Sequence, residues 1–173
     1  GGAIITNPNC STIGMALALK PLHDAFGLET VQVVTLQAAS GAGYPGVSSL
    51  DLIDNVVPFI SGEEEKMEAE ARKIFGRFEP GGLTDAEICL SASCNRVPVI
   101  DGHTECVSVK FHHQANEEQI IEAWRGFTSE PQRLGLPSAP TPAIVYDTRE
   151  TAPQPRLHRM AGNGMAVTIG RLR

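Results

Sequence analysis

Asn7-Pro8-Asn9-Cys10-Ser11-Thr12 is the stretch from which the rest of the chain is read: it sets a thiol on a tight turn between an apolar run and a helix. Asn-Pro-Asn is turn chemistry, since proline presets φ and asparagine side chains bond their own backbone. Upstream, Ala3-Ile4-Ile5 predicts a short strand. Downstream, Met15, Ala18, Leu19, Leu22 and Phe26 recur at helical spacing, and Gly27 predicts the stop. Cys10 therefore stands at or just before a helix N-terminus, where unpaired N–H groups and the positive dipole end favour a thiolate. On position alone, a buried structural cysteine with Ser11 or Thr12 as the cap is the slightly better reading. The other segments have to tip that balance.

Composition narrows the field. A chain of 173 residues is one domain, long enough to bury a core, and 42% hydrophobic with 20% charged residues is a globular balance. A net charge of −6 with no Lys/Arg cluster argues against nucleic acid as a partner. No apolar run approaches the roughly 20 residues that span a bilayer, so no membrane is expected. The first 30 residues show no secretory signal pattern, and a cytoplasmic protein is expected. Cys10, Cys89, Cys94 and Cys106 form no C-x-x-C and no regular spacing with histidine, which predicts reduced thiols and no metal site.

Outward from the thiol, Val31-Gln32-Val33-Val34-Thr35-Leu36-Gln37 predicts a strand that ends in a glycine-rich loop, Ser40-Gly41-Ala42-Gly43-Tyr44-Pro45-Gly46. The loop matches G-x-G-x-x-G, but a dinucleotide fingerprint needs a helix to open within it, and Pro45 steers Tyr44 away from helix. It reads instead as a place where backbone approaches something closely, or as an ordinary flexible loop. Leu50 to Val57 forms a short apolar element. Glu63-Glu64-Glu65-Lys66-Met67 opens a helix with Met67, Ala71, Ile74 and Phe75 on its core stripe. Glu63 and Lys66, three apart, either point together into a cleft or lie on a solvated face. Residues 86–93 and 104–111 predict two strands joined by a polar connection that carries both Arg96 and His103. Asn116 caps a helix with Ile120, Ile121 and Trp124 inside. Six of the twelve prolines fall in 131–155, an excursion suited to a subunit contact or a site cover, and residues 165–172 alternate as a last strand.

A helix-tip cysteine with a histidine is the minimum for covalent sulfur chemistry. A Cys-His hydrolase fits, and so does a dehydrogenase in which the thiol forms a thiohemiacetal and hydride passes to a nicotinamide. Spacing alone does not choose. Four ordered motifs do: Asn9-Cys10-Ser11-Thr12, Leu36-Gln37-Ala38-Ala39-Ser40-Gly41-Ala42-Gly43, Glu63-Glu64-Glu65-Lys66-Met67 and Arg96-Val97-Pro98-Val99-Ile100-Asp101-Gly102-His103-Thr104. Together with Pro153-Gln154-Pro155-Arg156-Leu157 they resemble aspartate-semialdehyde dehydrogenase, most like its fungal and archaeal branch, over essentially the whole chain.

The resemblance implies a reduction of L-4-aspartyl phosphate to L-aspartate 4-semialdehyde with NADPH, on the route to lysine, methionine and threonine. It implies Cys10 as nucleophile, His103 as general acid/base and Gln37 as the group that orients the acyl intermediate. Glu63 and Arg96 would bind the substrate amino and carboxylate groups, Lys66 the phosphate, and Ser40 and Gly41 the nicotinamide end of NADP. It also implies an α+β fold with a mixed, mostly antiparallel sheet and helices on one face, like the catalytic domain of glyceraldehyde-3-phosphate dehydrogenase. Residues 1–173 are expected to be the catalytic and dimerisation domain, without the nucleotide-binding domain, forming a homodimer or homotetramer and turning over little alone. A related acyl-phosphate or acyl-CoA reductase, a Cys-His hydrolase and a non-catalytic dimerisation module stay open as alternatives.

Overall fold

Helix α1 (Cys10–Phe26) starts where Asn9 leaves the helical region and its side chain accepts from the Ser11 and Thr12 amides. The cap is thus Asn9, two residues ahead of Ser11 and three ahead of Thr12. Gly27, at φ 68°, stops the helix and turns the chain straight into strand β1 (Leu28–Gln37). The computed structural model describes residue 2 and residues 4–173. After a 3₁₀ turn at Ala39–Ala42 come α2 (Ser49–Leu52), α3 (Glu63–Ile74), the hairpin β2 (Arg77–Glu79) and β3 (Gly82–Thr84), then β4 (Cys89–Arg96) and β5 (Thr104–Phe111). The chain closes with α4 (Glu117–Arg125), α5 (Glu130–Arg133), β6 (Ile144–Asp147), α6 (Pro155–His158) and β7 (Val167–Gly170).

The architecture is α+β, as the resemblance implies. The central sheet runs β4-β1-β5, with β1 parallel to β4 and antiparallel to β5. The hairpin pairs antiparallel, and β6 pairs with β7 in parallel. Period-two alternation sorts the central sheet into two faces. Val31, Val33, Thr35 and Gln37 stand in register with Leu90, Ala92, Cys94 and Arg96, and all eight are buried. The opposite face carries Gln32, Val34, Ser91, Ser93, Cys106 and Ser108, all exposed.

Helices cover the buried face. Met15, Leu19 and Leu22 of α1 meet Met67 and Ala71 of α3, with Phe75 just beyond it, and Ile120 and Trp124 of α4 in one cluster. Each large apolar side chain buried there is worth about 1.5–3 kcal/mol. The Trp124 Nε1–H donates to the Ala18 carbonyl at 2.9 Å, which satisfies its one polar atom inside the core. Helix α3 also guards the β4 edge. Glu68 accepts from the Ala92 amide at 3.2 Å and Glu64 from the Cys94 amide at 2.9 Å. Four residues along a helix rise about 6 Å, which matches a two-residue strand repeat.

Several local expectations change. Ile4 and Ile5 are 95% and 92% exposed and form no strand, because no described segment runs beside them to share backbone hydrogen bonds; Ala3 lies outside the described residues. The strand expected at 86–93 sits at Cys89–Arg96, so Arg96 ends a strand instead of riding a loop. The element expected between Leu50 and Val57 is mostly surface: α2 is one turn, and only Val57 bridges, to Arg96. Ile74 leaves the α3 core stripe at 41% exposure. The short hairpin at β2 and β3 carries no alternation that announces it.

Candidate active site

Cys10 is the first residue of α1 and is exposed, with its sulfur 3.1 Å from His103 Nε2. The two are 93 positions apart, and the sheet brings them together. After β4 the chain crosses the end of β1, where Ala39 and Ser40 donate backbone bonds to Val99 and Ile100, and this crossing delivers His103. The Ala38 amide donates to His103 Nδ1 at 2.9 Å. That bond occupies the Nδ1 lone pair, so the neutral ring carries its proton on Nε2 and offers it to the sulfur. Burial, and after it the Arg96 charge, hold the His103 pKa below 6.5, against a smaller opposing pull from Glu63.

Arg96 is 5% exposed and donates from Nη1 to the Ala38 carbonyl at 2.7 Å. Among the described residues it takes part in no ion pair. A buried guanidinium without a carboxylate asks for an anion. It lines a cleft of about 400 Å³ with Gly41, Val57, Phe59, Ile60 and Glu63. Gly41 supplies the close approach expected of its loop: a Cβ there would sit 2.7 Å from Arg96 Nη1 and 3.1 Å from His103 Cε1.

Gln37, fully buried, donates from Nε2 to Glu63 Oε1 and to Thr35 Oγ1, each at 3.3 Å. Among the described residues its Oε1 has no hydrogen-bond partner. A buried unpaired acceptor costs about 1–3 kcal/mol unless a ligand or water supplies a donor. Glu63 Oε1 also accepts from Asn9 Nδ2, which ties the start of α3 to the residue before the thiol. Cys10, Gln37, Gly41, Glu63, Arg96 and His103 therefore form one linked site. Lys66 lies one turn along α3 and is exposed, and Ser40 is exposed on the 3₁₀ turn. Neither side chain bonds to that group.

Three participants escape sequence reasoning. Asn9 could have been found from the preference of asparagine for N-caps. Ala38 acts through its backbone, and Glu70 through a contact 61 positions away, so no local signal marks either. The arrangement suits acyl transfer to sulfur: an exposed thiol with an N–H donor, beside a cleft carrying one cation and one carboxylate.

Comparison with known proteins identifies the family. The profile described as semialdehyde dehydrogenase, dimerisation domain, matches residues 19–173. The chain is 50% identical over 172 residues to the aspartate-semialdehyde dehydrogenase of Methanothermobacter thermautotrophicus, covering 99% of this chain and 50% of that protein. It is 53% identical over 178 residues to that of Schizosaccharomyces pombe, with the same coverage. Among solved structures, the Candida albicans aspartate-semialdehyde dehydrogenase with NADP superposes at a TM-score of 0.86 with 42% identity, over 95% of this chain and 47% of that one. The chain spans about half the length of the curated relatives it matches. It belongs to the semialdehyde dehydrogenase family.

Proposed function

We propose that in this family member Cys10 accepts the acyl group of L-4-aspartyl phosphate, on the way to L-aspartate 4-semialdehyde and so to lysine, methionine and threonine. The Cys10 sulfur attacks as the thiolate, its proton released to solvent and its charge met by the His103 Nε2–H, and forms a bond to the acyl carbon. The carbon–oxygen bond to phosphate breaks, and inorganic phosphate leaves with the electron pair, as a thioester forms on Cys10. His103 is the acid/base partner, and its Nε2 proton faces the reacting sulfur. Arg96 pairs the substrate carboxylate, Glu63 its ammonium, and the open Oε1 of Gln37 faces the acyl group. Lys66 neutralises the departing phosphate. The observation that carries this reading is the buried, carboxylate-free Arg96 in a cleft shared with Glu63, beside the Cys10–His103 pair.

Ser40 and Gly41 fit the nicotinamide end of NADP, since their turn is exposed and Gly41 packs where a side chain would strike Arg96 and His103. Bound there, the cofactor supplies hydride. We read the 173 residues as the catalytic and dimerisation domain, with the nucleotide-binding domain of the family not among them. A second copy docks on the open face of the β4-β1-β5 sheet.

Incubation of the chain with L-4-aspartyl phosphate tests the reading. The expected result is one equivalent of phosphate released and one aspartyl group on Cys10 by peptide mass mapping. Catalytic phosphate release without an acyl-enzyme, or acylation elsewhere, would overturn it.

A further inference from the structure

Every polar atom of Asn9 has a partner. Its Oδ1 accepts from the Ser11 amide at 2.9 Å and the Thr12 amide at 3.2 Å, and its carbonyl accepts from the Ile13 amide at 3.0 Å. Its Nδ2 donates to Glu63, and its backbone N–H donates to Glu70 Oε2 at 2.7 Å. Glu63 and Glu70 are seven apart on α3, two helical turns, so both face the same way. Residues 4–8 make no hydrogen bond among the described residues. Apart from His103 on the sulfur itself, the two α3 carboxylates are therefore, among the described residues, the only hydrogen-bonding ties from outside α1 to the turn that carries the thiol.

We propose that Glu70 is a positioning residue for Cys10: its carboxylate pins the Asn9 amide, and through that cap it holds the sulfur opposite His103. Glu63 faces the substrate cleft and is drawn on by Gln37 as well. Among the described residues the Glu70 carboxylate has only the Asn9 bond, so it acts on the turn and not on the substrate. Losing it frees the chain ahead of α1, lets the helix start fray, and opens the sulfur–imidazole contact. The inference rests on Cys10 being the nucleophile.

The test compares alkylation rates by iodoacetamide at each cysteine, resolved by peptide mass mapping, with exposed Cys89 as the internal reference. Wild-type Cys10 should react faster than Cys89. Glu70→Ala should cut the Cys10-to-Cys89 ratio roughly tenfold. Glu70→Asp, which keeps the charge but withdraws the acceptor by one methylene, should do the same. Glu70→Gln still offers an oxygen to the Asn9 amide and should restore the ratio to within about twofold. Should Glu70→Ala fail to fold, the Asp and Gln variants decide. A ratio unchanged in Glu70→Ala or Glu70→Asp, or lost equally in Glu70→Gln, overturns the anchoring while leaving the nucleophile reading intact. Wild-type Cys10 no faster than Cys89 would overturn both.

Discussion

His103 and Cys10 face each other across 3.1 Å, and the histidine does so with its other nitrogen already occupied by the Ala38 amide. The ring is therefore held as a donor toward the sulfur, and a second proton is disfavoured by burial and by Arg96. We expect nitrogen-15 NMR to show protonated Nε2 and bare Nδ1, with a midpoint below 6.5. Because the folded pKa is lowered, this stabilising contribution is complete above pH 6.5 and is lost as the pH falls. A midpoint at or above 6.5 would contradict the tautomer.

Gly41 lacks a side chain for want of room, since its Cβ would stand 2.7 Å from Arg96 Nη1. Gly41→Ala should displace the guanidinium from the Ala38 carbonyl and cost about 1–3 kcal/mol. Urea unfolding should show a lower midpoint, and acylation of Cys10 by L-4-aspartyl phosphate should weaken. An unchanged midpoint would mean that the loop yields freely.

Glu105 on β5 faces the helical side, with Gly14 of α1 beside its carboxyl, and burial pushes its pKa up to about 8. The native state thus holds a proton that the unfolded chain releases near pH 4.5, so stability declines as the pH rises from there to about 8. The decline is bounded at about 5 kcal/mol. Glu105→Gln should flatten the dependence and raise the melting temperature at pH 9. Parallel melting curves across pH for the two proteins would refute it.

Glu64 and Glu68 satisfy two outward amides of the β4 edge. Removing both with Glu64→Ala and Glu68→Ala leaves those donors to other chains. Light scattering should show new self-association, and the unfolding free energy should fall by about 2 kcal/mol. A stable, equally monodisperse double variant would show that α3 shields the edge by packing alone.

Val34 lies 43% exposed at the centre of the open sheet face, between Ser93 and Cys106. If a second copy docks there, Val34→Glu buries a charge in the interface and should dissociate the dimer in analytical ultracentrifugation without lowering monomer stability. A dimer that survives the change would move the interface elsewhere.

Much of the fold is legible in local pattern. The Cys10–Phe26 helix, the Thr104–Phe111 strand and the Asn116 helix cap follow from periodicity and cap chemistry, which act over a few residues. Ile4 and Ile5 show the limit: apolar, β-favouring residues form a strand only when a neighbour takes their backbone bonds. The site follows the same division. Its residue types could be nominated one by one from their motifs.

What sequence by itself determined was the kit: a thiol at a helix start, a guanidinium and an imidazole in one short segment, and carboxylates opening a helix. Only tertiary structure decided how these combine. Ala38 fixes the histidine tautomer through a main-chain amide, and Glu70 reaches Asn9 from 61 positions away. Both are contacts in space whose partners are set by strand order and helix packing. The turn at Asn9-Cys10 thus depends on α3, a helix that shares no segment with it.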